Sequence, residues 1–222
     1  MQFSALFRPT TLFSLKDSNS TNSGAKSLLL PSPYAIKMAI INQAIVSENN
    51  IKQFNQNNSL EFKYVKDTNI TYKINGNFCI NNSFLRILKP SRSNKGYQST
   101  VSFREYIHVT DDIEIIFNIS NYEAKKFLMK YIHKISYFGK KGCFFQFIDY
   151  NNPPNKPNVI EFDPNKSQQS GILQEFDDFP ENSNFEKINN YSSAKVKRKK
   201  VIFLIPVTNI SSSKSYTHYK CI

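Results

Sequence analysis

At 222 residues, 40% hydrophobic and 14% aromatic, the chain can bury the core of one ordinary domain, or of one with an elaborate insertion. Lys and Arg number 29 against 17 acids, and the resulting net charge of +12 favours a polyanionic partner, nucleic acid first, over a purely small-molecule enzyme. Cys79, Cys143 and Cys221 form no C-x-x-C pair, which argues against a disulfide framework and a structural zinc and fits a reducing cytoplasm.

The longest apolar run, 201–207, is interrupted by Pro206 and is far short of a membrane-spanning helix. Met1-Gln2-Phe3 opens without a basic n-region, so neither a secretory signal nor a membrane is expected. Asn reaches 26 residues and Lys supplies 24 of the 29 basic groups, a bias that an AT-rich genome produces without functional cause. Where the charge sits therefore matters more than its sum.

In chain order, residues 2–7 are a short apolar run suited to a first strand, and 16–26 form a polar loop. In Leu30-Pro31-Ser32-Pro33, Ser32 is a natural N-cap and Pro33 suits the first helical position; Ile36, Ile40 and Ala44, with Ile41 and Ile45, then recur at helical spacing, predicting a helix over 33–47. Phe62, Tyr64, Val65, Ile70, Tyr72 and Ile74 give 60–84 strand and hairpin character, with a turn at Asn75-Gly76-Asn77. The basic stretch 88–97 reads as a hairpin tip. Strand character resumes over 102–108 and over 113–119, where Ile113, Ile115, Phe117 and Ile119 share a face.

Ser120 and Glu123 read as a capping box before a helix whose stripe is Ala124, Phe127, Leu128, Tyr131, Ile132 and Ile135. A basic glycine-flanked turn, Gly139-Lys140-Lys141-Gly142, leads into a strand over 143–148. Residues 161–186 hold seven acids and one base, a net of −6 that leaves +18 on the rest; with Pro164 and Pro180 and little periodicity they read as a solvated loop or partly ordered insertion, or as a docking segment for a basic neighbour. Residues 201–205 are a last strand after the cationic run 195–200, which is either a solvated edge or a phosphate-binding element.

The order β, α, β, hairpin, β, α, β is the split βαβ pattern of an α+β, ferredoxin-like (RRM-like) domain, with two helices on one face of a four-stranded antiparallel sheet and the other face open for RNA. The predicted organisation is a domain over 1–150, an acidic extension over 151–200, and a terminal strand and tail over 201–222.

Phe7-Arg8-Pro9, then Leu30-Pro31-Ser32-Pro33-Tyr34-Ala35-Ile36 and its helix, resemble the start of the CRISPR RAMP-superfamily subunit called Cas five. Phe103-Arg104-Glu105-Tyr106-Ile107-His108 and Tyr137-Phe138-Gly139-Lys140-Lys141-Gly142 look like further landmarks, and the likeness spans roughly residues 1–150. The resemblance implies a subunit of a type I Cascade complex that caps the 5′ handle of the CRISPR RNA and extends a β-hairpin thumb over the guide as it pairs with target DNA. It implies neighbours as well, the Cascade backbone subunits beside the thumb and a large subunit at the DNA entry side. The thumb falls at about 71–100, with Lys73, Arg86, Lys89, Arg92 and Lys95 as its cations. A transposon-associated complex and a type III relative both stay open.

The RNA-binding candidates are Arg8, Lys16, Lys26, Ser32, Lys37, Arg104, Tyr106, His108, Lys140 and Lys141. Cations neutralise the backbone and aromatic rings stack on splayed bases; a helix start such as Ser32-Pro33 offers N–H groups to phosphate. Ser32 equally reads as a plain cap, Tyr106 as a core aromatic, and Lys16 and Lys26 as solubilising groups. No cofactor, metal or catalytic role is expected: the chain has three histidines, His108, His133 and His218, and no H-x-E or phosphate-loop glycine pattern. Two alternatives remain, a metal-independent ribonuclease acting on CRISPR repeat RNA through Tyr106, His108 and Lys141, and a general RNA-binding module.

Overall fold

The computed structural model describes residues 1–18, 26–55, 59–91, 95–166, 170–189, 192–194 and 196–222. Strand β1 (Gln2–Pro9) is followed by the short strands β2 (Leu15–Lys16) and β3 (Ser27–Leu28) and by helices α1 (Pro33–Glu48), α2 (Lys52–Asn55) and α3 (Leu60–Lys66). Then come β4 (Asn69–Lys73), the long hairpin β5 (Phe78–Pro90) and β6 (Tyr97–Val109), β7 (Ile113–Asn118), α4 (Tyr122–Ile132) and β8 (Phe145–Asn151). The fold is mixed α+β, and the central sheet has the order β4-β7-β1-β8 with every neighbour antiparallel.

Phe3, Ala5 and Phe7 of β1 stand opposite Phe117, Ile115 and Ile113 of β7, so one face of the sheet is a continuous apolar surface. Ile36, Ile40 and Ala44 of α1 and Leu128 and Ile132 of α4 are buried in the same core. The α1 start forms as its residues predict: the Ser32 hydroxyl accepts the Ala35 N–H at 3.3 Å, Pro33 opens the helix, and Asn49 ends it in the left-handed conformation.

Several expectations change. Residues 60–66 form a helix, not a strand, because the Ser59 hydroxyl caps the Phe62 N–H and Phe62 and Val65, three apart, bury together. The cap of α4 is Asn121, whose side chain accepts from Ala124 N–H; Ser120 lies one residue too early. The second face of the central sheet is closed at its middle: Ser4, Glu114 and Ile116 are buried, and Asn151 and Asn155 donate to the Glu114 carboxylate, which the Ser4 hydroxyl also reaches.

The chain continues with β9 (Ile160–Glu161), β10 (Ile172–Asp178), α5 (Phe185–Ile188), β11 (Lys199–Ile205), β12 (Val207–Ser212) and β13 (Tyr216–Cys221). The acidic stretch read as a loop thus holds β10 and α5. Strand β10 pairs antiparallel with β11, setting Asp177 opposite Lys200 and Asp178 opposite Lys199, so the basic neighbour of the acidic segment is the chain's own cationic run. Phe176 and Phe203 pack edge-on against Tyr72, while Phe179 meets Tyr34 and Phe62, so this sheet closes the core beside α1.

Strand β13 pairs with β5, making a second four-stranded sheet of order β12-β13-β5-β6. The segment expected as a tail after residue 205 thus forms a terminal hairpin. Of the cations expected in the insertion at 71–100, Lys73 lies on β4 opposite Glu114, in the central sheet, whereas Arg86 and Lys89 lie on β5 and Lys95 precedes β6. Arg92 lies outside the described residues. Beyond Ser83 the hairpin is two-stranded and exposes Phe84 (73%), Leu88 (70%), Tyr97 (73%) and Val101 (59%).

Candidate nucleic-acid interface

A cleft of about 620 Å³ opens beside α1. Ala35, Met38, Ala39, Asn42 and Gln43 recur three and four apart on that helix and form one wall. The lining also includes Lys16 from β2, Arg104 from β6, Tyr137, Gly139 and Lys140 from the turn before β8, Asp177 of β10 and Arg198 before β11. Among the described residues, four cations and one carboxylate therefore converge from segments far apart in the chain.

The lysine turn is built to project. Gly139 (φ 71°) and Gly142 (φ 101°) both adopt left-handed backbone, and a side chain at 139 would also press on Leu15 at 3.1 Å. Phe138 is buried against Phe7 and Phe145, and Cys143 N–H donates to Lys140 C=O, so the base of the turn is fixed while Lys140 and Lys141 reach solvent.

Arg198 is half-buried within the cationic run. Its guanidinium lies over the Tyr34 ring, 3.9 Å from the centroid, and donates to the Asp177 carboxylate at 2.7 Å. Tyr34 is in turn held by its hydroxyl, which donates to Ile188 C=O at 2.7 Å. Asp177 also binds Lys200 at 2.8 Å and accepts from the Ser18 hydroxyl at 2.9 Å. Burial pushes the Asp177 carboxyl up, but the hydrogen bonds from Lys200, Arg198 and Ser18 outweigh it and hold the group below the ordinary aspartate value.

Of the residues singled out from sequence, Lys16, Ser32, Arg104 and Lys140 meet in this cleft. Ser32 serves there as the helix cap: its hydroxyl takes the Ala35 N–H and Pro33 has no N–H, so the helix start is largely satisfied. Lys37 is a correction. It is buried inside the protein, paired with Asp178 at 2.7 Å and donating to Lys66 C=O at 3.0 Å. Burial lowers its pKa more than Asp178 restores it. Arg8 sits at the end of β1 in a two-pronged pair with Asp112, at 2.7 and 2.9 Å, which gives the Asp111-Asp112 turn a structural role. Lys26 and Lys141 are exposed and lie outside the cleft lining, and Tyr106 and His108 stand on the solvent face of β6.

Among the described residues no three His, Cys, Asp or Glu side chains are grouped to hold a metal ion, and no helix is long and apolar enough to cross a membrane.

No family model matches the chain. It is 24% identical over 192 residues, covering 82% of this chain and 81% of the relative, to a protein of Archaeoglobus fulgidus described as CRISPR-associated protein Cas5. Two solved structures align over nearly the whole chain at low identity. A CRISPR protein from Archaeoglobus fulgidus gives a TM-score of 0.47 at 13% identity, covering 100% of this chain and 92% of that one. A chain of the type III-B Cmr-beta complex bound to cognate target RNA and AMPPnP gives 0.42 at 10% identity, covering 97% and 86%. The sequence similarity accords with the resemblance drawn from residues 7–142: the chain is a relative of a Cas5 protein.

Proposed function

We propose that this chain, as a relative of a CRISPR-associated Cas5 protein, is a non-catalytic RNA-binding subunit of a CRISPR effector complex and holds the 5′ handle of the CRISPR RNA in the cleft beside α1. The observation that carries the reading is the convergence of Lys16, Arg104, Lys140 and Arg198 on one cleft. Their charge suits a phosphate backbone, while Ala35, Met38 and Ala39 offer an apolar surface to a base face and Asn42 and Gln43 offer carboxamides to a base edge. The strand order β8-β1-β7-β4, with α1 and α4 on one face, supports reading the core as ferredoxin-like.

The β5–β6 hairpin is the thumb of this reading, with its exposed apolar outer half turned to the complex's backbone subunits, and target DNA met through the complex. Tyr106, His108 and Lys141 do not line the cleft, which favours binding over repeat cleavage. The test is to mix the purified chain, with and without the products of neighbouring genes, with end-labelled repeat RNA and a scrambled control at fixed salt without divalent metal. Retention of RNA with an intact 5′ handle, unchanged in length, is the expected result. Specific shortening would transfer the case to a ribonuclease, and equal retention of both RNAs would leave a general RNA-binding module.

A further inference from the structure

The terminal hairpin completes a second aromatic surface. Register across β6, β5 and β13 sets Tyr106 opposite Asn81 and Asn81 opposite Tyr216; the adjacent row is His108, Cys79 and His218. Side chains directly opposite one another project from the same face. On the other face of these strands lie Phe78, Ile80, Ile107 and Val109, all in the core, so the two rows face outward. None of their six residues is buried, and none of the four rings makes a ring contact or a side-chain hydrogen bond among the described residues.

The spacing is suited to bases. Strands lie about 4.8 Å apart, so Tyr106 and Tyr216, two strands apart, stand on backbones roughly 9.6 Å from each other, with the smaller Asn81 and Cys79 between the two rings of each row as a floor. An aromatic ring and a base stack about 3.4 Å apart, so a base held on both sides separates its flanking rings by roughly 7 Å, a gap that inward-leaning rings on such backbones span. The surface also runs into the cleft. Phe13 pairs with Ile107, which sets Ser14 beside Tyr106, and both Ser14 and Arg104, two residues before Tyr106 on the same face, line the cleft. Lys220, two residues beyond His218, is exposed on the same face.

We propose that this outward face, Tyr106 and Tyr216 over Asn81 followed by His108 and His218 over Cys79, is a stacking surface for unpaired bases of single-stranded RNA leaving the cleft past Arg104. The inference rests on the RNA-binding reading of the cleft. The cations Arg104 and Lys220 flank the aromatic rows and neither row holds a carboxylate, a composition suited to tracking a single strand without reading its sequence.

The chain contains no tryptophan, so Tyr216→Trp introduces a single indole that still stacks. Titrating the full-length variant with the repeat RNA should quench the indole emission. Tyr216→Ala with His218→Ala should weaken RNA binding at least about 5- to 150-fold at fixed salt, the range expected for the lost stacking of one base, and leave the salt dependence unchanged; Tyr216→Phe should bind as the parent does. RNA binding at parental affinity by the double alanine variant, with no quenching of the indole, overturns the proposal, including the case where that variant instead loses a protein partner. Arg104→Ala with Lys140→Ala separates the two readings. Quenching that persists at unchanged affinity in this background refutes the cleft but not the stacking face, and a parent chain that binds no RNA refutes both.

Discussion

Among the described residues Asp177 is the one carboxylate lining the cleft, and its removal should trade stability for RNA affinity. In Asp177→Asn the amide still accepts one hydrogen bond, but the charge that holds Arg198 at 2.7 Å and Lys200 at 2.8 Å disappears. Removing one partner of a buried pair costs about 3–5 kcal/mol. Here the cost is lower: Lys200 keeps Glu175 at 3.2 Å, and Arg198 keeps its place on the Tyr34 ring. About 2–3 kcal/mol is expected, which for a chain of this length lowers Tm by roughly 4–12 °C. The cleft's formal charge meanwhile rises by one, and a charge about 7 Å from a phosphate in a solvated groove contributes about 0.5–1 kcal/mol, a two- to fivefold gain in affinity. The slope of log affinity against log salt should steepen by about 0.7. Thermal melts and fluorescence anisotropy with labelled repeat RNA measure both. A variant as stable as the parent, or one that binds RNA more weakly while folded, would refute the assignment of Asp177 as the counterion of an RNA-binding Arg198.

Lys37→Met should cost about 2–3 kcal/mol, because it leaves Asp178 without its buried cation, yet leave RNA affinity unchanged; a loss of affinity in a fully stable variant would restore Lys37 to the interface. Gly171→Ala should destabilise the β9–β11 sheet by at least about 2–3 kcal/mol, since its Cβ would lie 2.2 Å from Ile205 C=O at φ 145°, and an unchanged melting curve would contradict that packing. Acid should unfold the chain through Asp177 and Glu114, whose folded pKa values are both held low, so their stabilisation is complete above the ordinary carboxylate range and is lost as pH falls below about 4. Chemical denaturation at pH 7 and pH 3 measures this, and equal stability at the two would count against it.

Local signals were readable where chain neighbours decide the structure. Ser32 and Pro33 mark the start of α1, the alternation of Ile113, Ile115 and Phe117 marks β7, and the glycines around Lys140 mark a projecting turn. Helix α3 was misread because seven residues are too few for a 3.6 period to outweigh the strand preference of Phe62, Tyr64 and Val65, although Ser59 was a visible cap. Lys37 carries no local mark of burial, since its partner Asp178 arrives from the far end of the chain. Strand β10 was hidden for the same reason: Glu175, Asp177 and Asp178 look like a solvated loop until β11 supplies Lys199 and Lys200 across the ladder. The candidate cleft was half legible, with Lys16, Ser32, Arg104 and Lys140 found from sequence and Arg198 left ambiguous in a basic run. The face completed by Tyr216 and His218 depends on a strand pairing between residues more than 130 positions apart, which no local pattern announces.

The most direct test of the cleft as the RNA site is the salt dependence of repeat-RNA affinity in the parent and in Arg104→Ala with Lys140→Ala. Loss of two phosphate contacts should lower the slope of log affinity against log salt by about 1.4 and weaken binding at least about tenfold at 100 mM salt. An unchanged slope and affinity in the folded double variant would contradict the account.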